Sequence, residues 1–119
     1  MNGLAIILVN LLLFSHSSSK IIDIIGDALV LRPRSLNSPI FVLQTEDCLQ
    51  ICFDLYNIDV LDIKIENTMT SKVMYTYSLN PQQETTLYIP ISDWESGSYT
   101  IYFVNPINDL YMYGEFYKE

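Results

Sequence analysis

The feature that most constrains the fold is strict alternation of apolar and polar residues in short segments, with no helical periodicity after residue 19. The clearest case is the segment 61–66, where Leu61, Ile63 and Ile65 alternate with charged residues. A repeat of two residues places the apolar side chains on one face of a β-strand and the polar ones on the other. The same pattern, bounded by turn residues, predicts seven strands: 40–43, 48–55, 61–66, 73–78, 86–91, 99–104 and 110–117.

The segment around Gly97 predicts how these strands are arranged. Gly97 closes a turn, and Tyr99 then opens a strand in which Ile101 and Phe103 share its face. In immunoglobulin-like sandwiches a tyrosine at such a corner packs in the core, and its hydroxyl binds the backbone of the incoming loop. The sequence therefore predicts an all-β fold, a seven-stranded antiparallel β-sandwich of the immunoglobulin or fibronectin type, with Gly97 and Tyr99 in structural roles.

Residues 1–19 have the character of a secretory signal peptide. The apolar run 4–14 is too short to cross a bilayer as a helix, and small polar residues, mostly serines, follow it up to Ser19. We therefore expect cleavage after Ser19 and a single domain over 20–119 with no stable membrane span. Its expected location is the periplasm, the cell surface or the extracellular space. The alternative is a retained membrane anchor, because no Lys or Arg precedes the apolar run.

The balance of charges excludes one large class of partners. The chain has 14 acidic and 6 basic residues, which give a formal net charge of −8 at pH 7. An anionic surface repels phosphate backbones, and the chain has no basic stripe to offset this repulsion. A nucleic-acid partner is therefore not expected.

The inventory of side chains also argues against an enzyme. The single histidine, His16, lies in the predicted leader, so residues 20–119 lack the base of Ser-His-Asp and Cys-His sites. Glycoside hydrolysis needs only two carboxylates in a cleft. The acidic residues available for it are typical of solvated loops and surfaces: Glu84, Asp93, Glu95, Asp109 and Glu115. We expect no catalytic residues and no cofactor.

Cys48 and Cys52 lie on the same predicted strand. Four residues of extended chain separate their Cα atoms by about 13 Å, whereas a disulfide requires less than about 7 Å. We therefore expect no bond between them within one molecule. Pairing between molecules stays open.

Oxygen-bearing residues around the turn between this strand and the next raise the question of calcium, which prefers such ligands. They are Asp54, Asn57, Asp59 and Asp62. Their spacing does not match an EF-hand loop, and Asp and Asn are also common turn formers. The main expectation is therefore that no metal is bound.

The last strand carries a stripe of aromatic residues. Tyr111, Tyr113 and Tyr117 share one face, and Tyr102 on the preceding strand is placed to join them. Exposed rings stack on sugars or anchor protein interfaces, so Tyr102, Tyr111 and Tyr113 are candidate ligand-binding residues. Trp94 either caps the end of the core or protrudes as a further ligand contact. The alternative for the tyrosines is the preference of tyrosine for strands alone.

Several short segments, together with the leader, give the chain a family resemblance: 49–53, 61–65, 96–101 and 111–116. It resembles the short secreted, immunoglobulin-like proteins of unknown function found in gut anaerobic bacteria. Such chains end with a Gly-x-Tyr strand, here Gly97 and Tyr99, and then a tyrosine-rich strand, here with Gly114 and Phe116. The turn 67–71 departs from the pattern because it has no glycine. The resemblance implies the sandwich fold and an exported location, with Gly114 in a structural role, and it carries over no catalytic residues.

These observations favour a binding module over an enzyme. The expected partner is a glycan or an envelope protein, bound through the tyrosines or the loop with Trp94. One alternative is a structural subunit that self-associates through sheet edges, with the segment 20–31 added as a strand to a neighbouring molecule. Within one molecule, the same segment forms an edge strand or a loosely tethered arm. A further alternative is a domain similar to the sorting domains of secreted proteins, which also carry a Gly-x-Tyr strand.

Overall fold

The computed structural model describes residues 19–27, 39–107 and 110–119. These residues form nine strands: β1 (Lys20–Ile22), β2 (Ile25–Asp27), β3 (Ile40–Gln44), β4 (Cys48–Phe53), β5 (Leu61–Asn67), β6 (Val73–Leu79), β7 (Thr86–Pro90), β8 (Gly97–Asn105) and β9 (Leu110–Lys118). Among the described residues, no helix is long and apolar enough to cross a membrane. Residues 1–18 of the predicted leader, residues 28–31 of the predicted arm, and Asp109 lie outside the described residues.

The strands form two antiparallel sheets. Sheet A has the order β1-β3-β4-β7, and sheet B has the order β2-β9-β8-β5-β6. Buried side chains from both sheets form one core, among them Ile51 of sheet A and Ile63 and Phe103 of sheet B. Alternation along each strand produces this core, because every second residue points between the sheets. The predicted all-β sandwich is confirmed.

The predicted number of strands was wrong. All seven predicted strands are present, and the two additional ones, β1 and β2, lie in the segment expected to form an edge strand or an arm. Each has only three residues, which is too short to show a periodic pattern in the sequence. β1 extends sheet A beside β3, and β2 extends sheet B beside β9. The segment therefore covers one edge of each sheet.

The chain crosses from sheet A to sheet B through Asp23 and Ile24, and this crossing packs over Gly114 of β9. A Cβ atom at position 114 would lie 2.6 Å from Cδ1 of Ile24 and 2.7 Å from the carbonyl oxygen of Asp23. Real Cβ atoms essentially never approach other heavy atoms this closely. A side chain at position 114 would therefore displace the crossing.

An aromatic corner fixes the start of β8. The Tyr99 hydroxyl donates a hydrogen bond of 2.6 Å to the backbone carbonyl of Glu95. The Tyr99 ring stacks on Phe116 with centroids 5.5 Å apart, and it lies 5.2 Å from the ring of Trp94. Gly97 has a φ of 151°, a conformation that residues with a side chain rarely adopt. Because Tyr99 points into the core, Thr100 and Tyr102 point to the outer face of sheet B.

The outer face of sheet A contains both cysteines. Cys48 and Cys52 are half-buried, alternate with the buried Leu49 and Ile51, and form no disulfide. Strand β7 forms the edge of sheet A opposite β1, and it ends at the exposed Pro90. Proline has no backbone N–H to donate to a neighbouring strand, so it is tolerated at the end of an edge strand.

Candidate functional site

The candidate site is on the outer face of sheet B, where β5, β8 and β9 lie side by side. Tyr102, Tyr111 and Tyr113, which we call the tyrosine face, come together there. Tyr102 lies directly opposite Tyr113 in the pairing of β8 with β9. The centroid of the Tyr111 ring is 6.2 Å from that of Tyr102 and 6.1 Å from that of Tyr113. Two residues of the stripe predicted on β9, Tyr111 and Tyr113, therefore lie next to Tyr102, whereas Tyr117 lies opposite Ser98, farther along the strand.

Tyr102 is held in place by a carboxylate from β5. Its hydroxyl donates a hydrogen bond of 3.1 Å to Oε1 of Glu66. Burial of the phenol raises the pKa of Tyr102 above its ordinary value of 10, and the hydrogen bond to Glu66 raises the pKa further. The hydrogen bond directs the hydroxyl toward the Glu66 carboxylate.

A lysine from the same strand completes this arrangement. Lys64 lies opposite Tyr102 in the pairing of β5 with β8. Its ammonium nitrogen lies 5.0 Å from the centroid of the Tyr102 ring and 3.6 Å from Oε2 of Glu66. A cation at this distance is attracted by the negative face of the ring. The face thus contains a cation bound to an aromatic ring.

Two open depressions border the tyrosine face. The first, which we call the groove, has a volume of about 230 Å³ and is lined by Glu66, Thr68, Thr100, Tyr102, Tyr111, Tyr113 and Glu115. The second has a volume of about 440 Å³ and is lined by Asp62, Lys64, Tyr102, Val104 and Tyr111. Tyr102 and Tyr111 line both. A ligand bound here would contact ring surfaces in the middle and polar side chains at both ends.

The polar end of the groove is built from one row of residues across three strands. Glu66 of β5 and Glu115 of β9 lie on either side of Thr100 of β8. The hydroxyl oxygens of Thr100 and Thr68 are 2.8 Å apart, which fixes the floor between the carboxylates. The row offers hydrogen-bond acceptors beside the aromatic rings.

The structure does not bring Trp94 to this site. Trp94 precedes β8, is half-buried, and packs against the core next to Tyr99. Tyr99 and Tyr102 point to opposite faces of β8, because Tyr99 is buried in the core while Tyr102 borders the groove. Of the two roles considered for Trp94, its position fits the cap on the core.

Several residues of the site were not identified from the sequence. Lys64, Glu66 and Thr100 fit the polar side of an alternating pattern, and Thr68 lies in the predicted turn 67–71. None of them gives a sign in the sequence of proximity to the tyrosines. Their proximity depends on β5 lying next to β8, and the order of strands in a sheet is not encoded in alternation. The sequence predicts Glu115 only as one of several surface carboxylates.

The metal site considered from the sequence is not assembled by the residues that the structure describes. No group of three or more His, Cys, Asp or Glu side chains in this part of the chain is placed to hold a metal ion. Asp62, one of the residues considered for calcium, accepts a hydrogen bond of 2.6 Å from the Ser78 hydroxyl. In the groove, the carboxylate of Glu66 is already engaged by Tyr102 and Lys64.

Comparison with solved structures supports the assignment of the fold. The chain is similar to a protein from Bacteroides vulgatus ATCC 8482, described as a DUF3244 family protein with an immunoglobulin-like β-sandwich fold, with a TM-score of 0.71. The two sequences are 19% identical, and the match covers 86% of this chain and 100% of the other. At this identity the likeness concerns the fold alone.

Comparison by sequence identifies the family. No curated protein matches the chain. The model of the family described as domain of unknown function DUF3244 matches residues 32–117, a range that begins after β2 and extends from β3 to Tyr117 in β9. The resemblance proposed from the sequence is thereby confirmed for family and fold, while the exported location stays a prediction. The chain belongs to the DUF3244 family of immunoglobulin-like β-sandwich domains.

Proposed function

We propose that this protein is a non-catalytic binding module that holds a glycan against the tyrosine face. The observation that supports this most directly is the cluster of three rings, with neighbouring centroids 6.1 and 6.2 Å apart, beside two open depressions. Aromatic rings offer flat apolar surface to the C–H faces of sugar rings. Carboxylates and hydroxyls beside them accept and donate the hydrogen bonds that orient a ligand.

The geometry favours binding over hydrolysis. The groove is an open depression on a sheet face, and it contains two carboxylates, those of Glu66 and Glu115. Glu66, one of its two carboxylates, is engaged by Tyr102 and Lys64. This carboxylate contributes to the shape of the site and is not a free acid or base.

We also propose that the protein is exported and that residues 1–19 are removed. The apolar run 4–14 and the serines that follow it support this proposal. Expression of the full chain in a bacterial host, followed by fractionation and N-terminal sequencing, tests it. A new N-terminus at Lys20 in the periplasmic or external fraction is the expected result, and an intact chain in the membrane fraction would contradict it.

Binding through sheet edges, with the segment 20–31 donated to a neighbour, has less support. The part of this segment that the structure describes pairs with its own molecule, as β1 with β3 and β2 with β9. These pairings satisfy the edges that strand exchange would use. The tyrosine face, by comparison, has no strand or loop described over it.

The proposed function is tested with tyrosine variants and a matched control. Residues 20–119 are screened against immobilised glycans, and the best ligand is titrated by calorimetry. Tyr111→Ala and Tyr113→Ala should each weaken binding by about 5- to 30-fold, the loss typical of an aromatic contact residue. Tyr88→Ala is the control, because Tyr88 is an exposed tyrosine on the outer face of sheet A, away from the tyrosine face. Unchanged affinity in both tyrosine-face variants would rule out this site.

A further inference from the structure

Negatively charged side chains outnumber positively charged ones around the tyrosine face. Three carboxylates, those of Asp62, Glu66 and Glu115, line the two depressions, against the single ammonium of Lys64. The whole chain adds to this with its net charge of −8. Like charges in a partly desolvated site repel a ligand, so uronic acids and other acidic sugars are disfavoured. The site is suited to a ligand that is neutral or positively charged.

The face already accommodates a positively charged group. The Lys64 ammonium lies 5.0 Å from the centroid of the Tyr102 ring and also pairs with Glu66 at 3.6 Å. An aromatic ring and a carboxylate therefore act together on one primary amine. Tyr113 and Glu115, two residues apart on the outer face of β9, offer the same pair of groups on the other side of the groove.

Glu115 is the carboxylate available for a ligand. Its side chain is exposed, and it makes no hydrogen bond or ion pair with the residues that the structure describes. Glu66, on the far side of Thr100, is engaged by Tyr102 and Lys64. A ligand amine bound over Tyr113 would reach Glu115 without breaking an existing contact.

We propose that the groove selects glycans that carry free amino groups, with Glu115 as the residue that determines this preference. This inference rests on the proposed function and specifies its ligand class. The tyrosine rings bind the face of the sugar, and Glu115 accepts a charge-assisted hydrogen bond from the sugar ammonium. Acetylation of the amine removes both the charge and most of the donor capacity.

The test compares two oligosaccharides with the same backbone. Hexamers of β-1,4-linked glucosamine and of its N-acetylated form are titrated into residues 20–119 by calorimetry at pH 6, where the amines are largely charged. The glucosamine hexamer should bind about tenfold more tightly. Glu115→Gln should reduce this preference to less than about threefold while the N-acetylated hexamer binds as before.

Glu46→Gln is the matched control, because it removes the same charge from an exposed residue in the turn before β4 of sheet A. It should leave the preference unchanged. An equal loss in Glu46→Gln and Glu115→Gln would mean general attraction to an acidic protein and would overturn the proposal. Equal affinity for the two hexamers would overturn the selection of amines but leave glycan binding in place.

Two further outcomes concern the class of ligand. A lysine hexamer that binds as tightly as the glucosamine hexamer, with the same dependence on Glu115, would assign the groove to basic peptides and overturn the proposal. Failure of both hexamers to bind, when another glycan from the screen binds through Tyr111 and Tyr113, would overturn the amine preference alone. Failure of every glycan would overturn the proposed function as well.

Discussion

Tyr99 shows how one side chain links the sequence motif to the fold. Its ring is 1% exposed and packs between Trp94 and Phe116, while its hydroxyl binds the Glu95 carbonyl. The ring contributes buried apolar area, and the hydroxyl fixes the loop that leads into β8. These two contributions are separable by mutation.

Tyr99→Phe should lower the free energy of unfolding by about 1 kcal/mol, the usual net value of one hydrogen bond, because the ring remains in place. Urea denaturation followed by fluorescence measures the change. Tyr117→Phe is the control, since Tyr117 is 52% exposed and should be neutral. Tyr99→Phe with wild-type stability would show that the bond to Glu95 does not stabilise the corner.

Tyr102 gives a second prediction, which concerns pH. In the folded chain, burial and then the hydrogen bond to Glu66 raise the pKa of Tyr102 above 10. A raised pKa means that the protonated phenol stabilises the fold below about pH 10, and that this contribution is lost as the pH rises through the folded-state pKa. Glu66→Gln removes the charged acceptor, so it should lower the pKa of Tyr102.

Carbon-13 NMR of tyrosines labelled at Cζ measures this pKa for each ring. Glu84→Gln is a matched control, because Glu84 accepts the hydrogen bond of Tyr77 and raises the pKa of that residue instead. The control should move the titration of Tyr77 and leave that of Tyr102 in place. A Tyr102 titration that is the same in Glu66→Gln as in the wild type would contradict the assigned contact.

At the scale of elements, β1 and β2 occupy the edges that β3 and β9 would otherwise expose. A chain that begins at residue 28 should therefore be less stable and should associate, because unpaired edges of strands form intermolecular sheets. Sedimentation velocity of 28–119 against 20–119 measures this association. Ile22→Ala is the control: it weakens the core, where Ile22 is 8% exposed, but keeps both strands, and it should stay monomeric. A shortened chain that is monomeric at millimolar concentration would contradict the protective role.

The length of a strand and its pairing decide how much of the structure the sequence predicts. The nine residues of β9 alternate clearly, so the outward position of Tyr111 and Tyr113 was predictable from the pattern alone. The three-residue strands β1 and β2 carry too little pattern to be assigned. The contact of Glu66 with Tyr102 depends on the pairing of β5 with β8, which local alternation does not determine. The tyrosines of the site were therefore visible in the sequence, whereas the polar residues that β5 brings beside them were not.

At the scale of the whole molecule, the two outer faces differ in charge. The outward side chains on the described strands of sheet A include no Asp, Glu, Lys or Arg: they are Ile21, Phe41, Leu43, Cys48, Gln50, Cys52, Thr86, Tyr88 and Pro90. Sheet B presents Asp62, Lys64, Glu66 and Glu115 on its outer face. Charged ligands are therefore attracted or repelled mainly at sheet B, the sheet with the tyrosine face.

The pairing of β2 with β9 also has a consequence for when the molecule finishes folding. Ile25 lies opposite Tyr113, so one border of the tyrosine face joins residues from distant parts of the chain. Contacts of such high sequence separation form slowly, because a long loop must close first. If the chain is exported as we propose, β2 leaves the cytoplasm long before β9 is available to it. The final pairing, and with it a complete binding face, then forms only after the polypeptide has crossed the membrane.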